Sequence, residues 1–159
     1  MIYDLGGGTF NVTLIGDNNG EIEMIASDGL ENLGGNAFDW KIVNELFRPK
    51  IASDMNINDF RRENPKYVKT FARLKNAAEE IKKDLTKSTD SSICVDELFE
   101  NYTFEYHLTR EKLKETVMPL IDYTFKMSRN LLNKHSLNDS DMDKIILVGG
   151  ACLSPVVAE

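Results

Sequence analysis

The segment YDLGGGTF places one carboxylate, Asp4, just ahead of an unbroken glycine run, Gly6, Gly7 and Gly8, with the hydroxyl of Thr9 directly after it. Glycine has no side chain and tolerates positive φ, so such a run turns sharply and aims successive amide N–H groups at an anion. Thr9 adds a hydroxyl donor. Asp4 suits a divalent cation, held directly or through its waters, that offsets the charge of a phosphate. The spacing fits neither GxxxxGK[ST] nor a GxGxxG that leads into a helix, so a P-loop and a dinucleotide fold are both disfavoured. Taken alone, the run also suits a flexible hairpin that holds nothing. A second group, Glu79, Lys82, Lys83 and Thr86, recurs at i, i+3, i+4 and i+7 and forms one polar stripe on a helix. Glu79 can accept from sugar hydroxyls and the lysine stems can cover a base, although the stripe equally suits a solvated face with ordinary ion pairs. Gly149 and Gly150 close a short apolar run at the position where open α/β sheets place ligands, or make a plain strand-to-helix turn.

The rest of the chain bounds these readings. With 159 residues, 42% hydrophobic and 28% charged, it has the size and composition of one soluble globular domain. A net charge of −7 with the signs interspersed argues against nucleic acid and anionic membrane as partners, so any phosphate must be gripped locally. Cys94 and Cys152 have neither metal-ligand nor disulfide-framework spacing, which points to reduced thiols and an intracellular, cytoplasmic location. No apolar stretch approaches the roughly 20 residues of a membrane span, and no basic-then-apolar leader is visible. His107 and His135 lack partners at metal or triad spacing, and Trp40 reads as packing.

Alternation predicts strands at Ile2 to Leu5, Phe10 to Ile15 and Glu21 to Ala26, joined by the glycine run and by Asp17-Asn18-Asn19-Gly20 into an antiparallel meander. Asp28 to Gly35 reads as a loop. Asn36 is expected to cap a helix to about Phe47, with Asp39 favouring the helix dipole in its first turn and Pro49 ending it. A polar connector with an apolar cluster at Met55, Ile57 and Phe60 leads to Asn64-Pro65. That pair opens a long helix to about Thr86, whose buried stripe is Phe71, Leu74, Ala78, Ile81 and Leu85. Ile93 to Leu98 and Tyr102 to Leu108 read as a hairpin. Thr109 caps a helix that Pro119 should kink or divide, and Ile145 to Val148 reads as a buried strand before Gly149-Gly150 and a helix opened by Ser154-Pro155. Both ends read as cut from a longer protein.

Four motifs in order, YDLGGGTF, LGGNAFDWKIV, AAEEIKKDL and IILVGG, resemble the second lobe of the nucleotide-binding domain of the heat shock protein 70 (DnaK) chaperones, within the actin-like superfamily. The resemblance covers essentially the whole chain. It implies an α/β, actin-like ATPase lobe with an incomplete ribonuclease-H-like base subdomain at residues 1–40 and 110–159 and a smaller α+β upper subdomain at 41–109. It implies ATP or ADP with Mg2+ as ligands, with Asp4 on the water shell of the metal and Gly6, Gly7, Gly8 and Thr9 on the terminal phosphates. Gly35 would lie against the nucleotide, Glu79 and Lys82 at the ribose, Lys83 and Thr86 at the adenine, and Gly149 and Gly150 on the sugar and α-phosphate side. A nucleotide-exchange factor would dock on the upper subdomain, and a J-domain cochaperone and client proteins would act through the full-length parent. That parent would hydrolyse ATP, whereas this lobe, half of a nucleotide cleft with no complete catalytic set, would not. Two features depart from the family pattern: Asn11 stands where members usually carry an aspartate, and Ala151, Cys152 and Leu153 stand where serine, threonine and arginine are common. The alternatives are a sugar or metabolite kinase of the same superfamily and a regulatory relative insensitive to nucleotide.

Overall fold

A computed structural model describes residues 1–158, with only the backbone of Asn18; Glu159, the last residue of the expected base subdomain, lies outside the described residues. The chain divides into two compact units, Met1–Ala37 together with the segment from Met118 onward, and Phe38–Val117.

The first unit is built on a four-stranded sheet in the order β3-β2-β1-β6. Strands β1 (Ile2–Leu5), β2 (Thr9–Asn18) and β3 (Glu21–Glu31) form the antiparallel meander. Its second turn puts Asn19 and Gly20 at φ of 57° and 93°, the left-handed pair that matches the twist of a tight hairpin. Strand β6 (Ile146–Val148) adds in parallel to β1 and sets Asp4 opposite Val148. Tyr3, Leu5, Phe10, Val12 and Leu14 are buried. Tyr3 packs on Phe10 with ring centroids 4.9 Å apart, and its hydroxyl shares a hydrogen bond with Thr124 of the long helix α4 (Arg110–Lys134).

Two expectations for this unit are corrected. β3 does not stop at Ala26, because the ladder groups of Thr9 to Val12 on β2 need partners and take them from Asp28 to Glu31. Gly29 permits this, since a side chain there would overlap that of its neighbour Asn11. The run at Ile145 to Val148 is not buried, for Ile146 is 55% exposed and Val148 42%. β6 is an edge strand with β1 as its only neighbour among the described residues, so apolarity in the sequence is not matched by enclosure.

The second unit joins helices to a two-stranded sheet. Helix α1 (Gly35–Ile42) does not end before Pro49 but runs through a π-helical turn, Val43–Phe47, into α2 (Arg48–Asp54). Proline lacks an N–H and its ring crowds the preceding turn; the widened π turn meets that demand without breaking the helix, with the Arg48 N–H bonded to the Val43 carbonyl. Asn64 accepts from the Lys66 N–H and caps the 3-10 turn Pro65–Tyr67 that leads into α3 (Val68–Asp84). The buried face of α3 comprises Phe71, Leu74, Ala77, Ala78 and Ile81. Strands β4 (Asp90–Phe99) and β5 (Tyr102–Thr109) form the hairpin, with Phe104 packed edge-on to Phe47 at 5.1 Å. Thr109 caps α4 by accepting from the Lys112 N–H, and α4 then continues unbroken past Pro119, which therefore does not divide it.

The hairpin is clipped to α2 by Asp54, which accepts from the Tyr102 hydroxyl at 2.8 Å and from Lys50 at 2.8 Å. Lys50 and Tyr102 together hold the Asp54 carboxyl below its ordinary range. A lowered folded value stabilises the fold above the unfolded pKa and is lost as pH falls through the folded one. Tyr102→Phe is therefore expected to lower stability at neutral pH and to flatten the acid limb of the stability profile, as measured by urea unfolding between neutral and acid pH.

Candidate functional site

In the first unit the glycine run is held by what its carbonyls do. The Gly6 N–H donates to the Thr9 carbonyl at 2.9 Å and closes the hairpin. The carbonyls of Gly6 and Gly7 accept from the N–H groups of Gly35 and Asn36 at 2.9 and 2.7 Å. Those are the first donors of α1, which have no partner within the helix. The helix is thus capped by the glycine loop and begins at Gly35, not behind an Asn36 side-chain cap. Gly34 makes the approach possible, because a Cβ there would stand 2.6 Å from the Gly6 oxygen.

With its carbonyls turned to α1, the loop leaves the N–H groups of Gly7 and Gly8 without a hydrogen bond among the described residues, and both residues are exposed. None of Gly6, Gly7 and Gly8 has a left-handed φ, so the turn does not use the freedom that glycine offers. A Cβ on Gly7 would meet nothing within 4 Å. Neither backbone conformation nor packing within the described residues calls for glycine there.

Gly149 and Gly150 reach the same place. Gly149 has φ of 93°, and a Cβ on it would overlap the Leu5 carbonyl and lie 2.8 Å from Asp4 Oδ1. Gly150, like Gly7, faces open space. The first unit therefore gathers Asp4, the glycine loop with Thr9, Gly35 and the glycine pair around one another. Asn11 sits opposite Asp4 in the β1–β2 register with its side chain against Gly29, and Leu153 is 77% exposed.

In the second unit, α3 presents a chain of alternating charges that the sequence only half revealed. Lys83 Nζ lies 2.7 Å from Glu79 Oε1, and Thr86 donates its hydroxyl to the Lys83 carbonyl. Lys82 instead bonds Asp39, a carboxylate that is 1% exposed. Lys75 stands 3.5 Å from both Asp39 Oδ2 and Glu79 Oε2. Asp39 is beyond the first turn of α1 and does not serve the helix dipole. Burial pushes its carboxyl up, against the pull of Lys82 and Lys75. Lys83 holds the exposed Glu79 carboxyl below its ordinary range, so Glu79 is an ionised acceptor at neutral pH. The signal missed in the sequence was an acid inside the otherwise apolar AFDW stretch, with Lys75 and Lys82 seven residues apart on one face of α3.

Cys94 is exposed, Cys152 is buried, and both are free. His107 Nδ1 lies 3.0 Å from Ser92 Oγ, and Trp40 is covered by the Arg62 guanidinium at 3.9 Å. Among the described residues no group of three or more His, Cys, Asp or Glu could hold a metal, and no helix is long and apolar enough to cross a membrane.

A mixed sheet whose first hairpin is a glycine loop capping the following helix, joined to a helical unit, defines an α/β lobe of the actin-like ATPase class. The chain belongs to the heat shock protein 70 family: the family described as Hsp70 protein matches residues 1–159. It is similar to heat shock cognate 70 kDa protein 3 of Dictyostelium discoideum, with 30% identity across 100% of this chain and 24% of that relative. The chain thus spans about a quarter of the length of the curated relative it matches.

The glycines separate by experiment into those that the fold requires and those that it does not. Gly149→Ala is expected to cost more than about 1 kcal/mol, and Gly7→Ala to leave stability within about 0.5 kcal/mol, in equilibrium unfolding.

Proposed function

We propose that this chain is the ATP- and ADP-binding lobe of a heat shock protein 70 chaperone, whose longer parent uses ATP binding and hydrolysis to control its hold on client proteins. The observation that carries the reading is the pair of N–H groups at Gly7 and Gly8 that have no hydrogen bond among the described residues, at exposed positions where neither φ nor packing demands glycine. Main-chain donors of this kind suit a phosphate, whose oxygens only accept. Gly6, Gly7, Gly8 and Thr9 take the terminal phosphates, and Gly149 and Gly150 the α-phosphate and sugar side, with Gly35 behind them. Glu79 and Lys82 serve the ribose, Lys83 and Thr86 the adenine.

Asp4 is a single half-buried carboxylate without a second acid in a ligating group. That fits a Mg2+ carried in by the phosphates and reached through water, and does not fit an ion held by the protein alone. When bound, the ion neutralises phosphate charge; Asp4 orients its waters. Phosphoryl transfer needs clamping from several sides, so this lobe alone binds without turnover, and hydrolysis belongs to the longer parent. An exchange factor acting on residues 41–109, a J-domain cochaperone and client proteins are the partners this reading assigns to that parent, in a cytoplasmic setting. A second reading, a relative that acts through protein contacts and ignores nucleotide, is favoured by Asn11 in place of an acid and by Leu153 at a base-facing position.

Titration of the chain with ADP and magnesium in a calorimeter separates the two. Saturable binding is expected, weakened at least about tenfold by Gly7→Asp, which fills open space and sets a negative charge against the phosphates, and severalfold by Lys83→Ala. Folded protein that takes up no ADP favours the nucleotide-insensitive relative.

A further inference from the structure

The second unit contains a charged group that the assigned contacts leave without a task. Asp39 is 1% exposed, its Oδ1 is bonded by Lys82, and its Oδ2 has no hydrogen bond among the described residues. Lys75 Nζ stands 3.5 Å from that oxygen and at the same distance from Glu79 Oε2. Glu79 is thereby flanked on α3 by Lys75 one turn before it and Lys83 one turn after.

An exposed i,i+4 ion pair is worth little, because two long side chains must give up rotamer freedom to keep it. The Lys83–Glu79 pair is of that kind, with Lys83 68% exposed. Lys75 differs, since its side chain is 23% exposed and it is drawn toward a fixed, buried charge that cannot move into water. A lysine anchored at one end holds the carboxylate at its other side. A carboxylate has roughly four lone-pair sites and these lysines occupy only part of them. What remains is a preset acceptor whose position along α3 is fixed from the protein interior.

We infer that Asp39 and Lys75 are positioning residues that preset Glu79 to accept from both hydroxyls of a ribose, so that the relay Asp39–Lys75–Glu79 sets the preference of this lobe for ribonucleotides over 2′-deoxyribonucleotides. The inference rests on the nucleotide reading above. A carboxylate that merely repelled or attracted charge would treat the two sugars alike; one held for a pair of hydroxyls loses a charge-assisted hydrogen bond when one of them is missing.

The test is the ratio of dissociation constants for 2′-deoxy-ADP and ADP, each with magnesium, measured calorimetrically on the wild type, Lys75→Gln and Lys75→Arg. The wild type is expected to prefer ADP by about tenfold, the value of one hydrogen bond to a charged group. Lys75→Gln, confirmed as folded by circular dichroism, is expected to bring the ratio below about threefold even though loss of a partner to buried Asp39 lowers its melting temperature, and Lys75→Arg to keep the ratio. Asp39→Asn, followed with circular dichroism to confirm folding, is expected to act like Lys75→Gln. A purely structural role would weaken both ligands equally and leave the ratio where it was, which overturns the inference. A wild type that binds both nucleotides equally overturns it too, with the nucleotide reading intact. A folded wild type that binds neither removes both.

Discussion

The hydrogen bonds from Gly35 and Asn36 to the carbonyls of Gly6 and Gly7 are the constraint on which the first unit turns. The start of any helix has N–H groups that need acceptors, and here they find them in a hairpin far earlier in the chain. Because a peptide unit points its carbonyl and its N–H in opposite directions, spending the loop's oxygens on α1 turns Gly7 and Gly8 N–H groups outward. Gly34 and Gly149 have no side chain because the loop and Leu5 pass where one would be. Local helix stability and the proposed phosphate cradle are therefore one arrangement, and the loop cannot shift without uncapping α1.

Asp39 plays the corresponding part in the second unit. Withdrawing a carboxylate from water costs several kcal/mol, and the fold offsets this only if cations are brought to it. Lys75 and Lys82 stand two helical turns apart on one face of α3 and both reach Asp39, so displacing α3 by a turn would strand a buried charge. The ion pairs contribute register more than net stability. The apolar contacts of Phe47 with Phe104 and of Phe60 with Phe71 supply burial, which tolerates small shifts far better than a paired charge does.

What could be read from the sequence was whatever is decided within a few residues. Asn19-Gly20, the Asn64-Pro65 start, the Thr109 cap and the stripe from Phe71 to Leu85 all follow from local backbone chemistry or periodicity, and the structure has them. The errors arose where distant partners decide. The length of β3 is set by β2, the exposure of Ile146 by its place at a sheet edge, and the passage of Pro49 by a π turn that no periodicity announces. In the same way, the glycine run showed that a bare loop was wanted but not why, since the capping of α1 depends on a contact across the first unit. Asp39 was given a dipole role and its pairing with Lys75 and Lys82 went unseen, because a buried charge is recognisable only once its burial is known.

These two modes of construction bear on the substitutions at Asn11 and Leu153. The proposed phosphate contacts are made by main-chain N–H groups, and main chain is indifferent to what a neighbouring side chain has become so long as the loop is held. It is held by Gly34, by the start of α1 and by the hairpin bond from Gly6 to Thr9, none of which involves Asn11 or Leu153. Asn11 lies across the ladder from Asp4, where an amide in place of a carboxylate lowers the negative charge available to a hydrated cation without moving the strand. The proposed phosphate contacts thus stand apart from the atoms that these two substitutions change. In the proposed reading Asn11 bears on the charge around a hydrated cation and the exposed Leu153 on the cover of a base, so both substitutions weaken the hold on a nucleotide without dismantling the loop that its phosphates would meet.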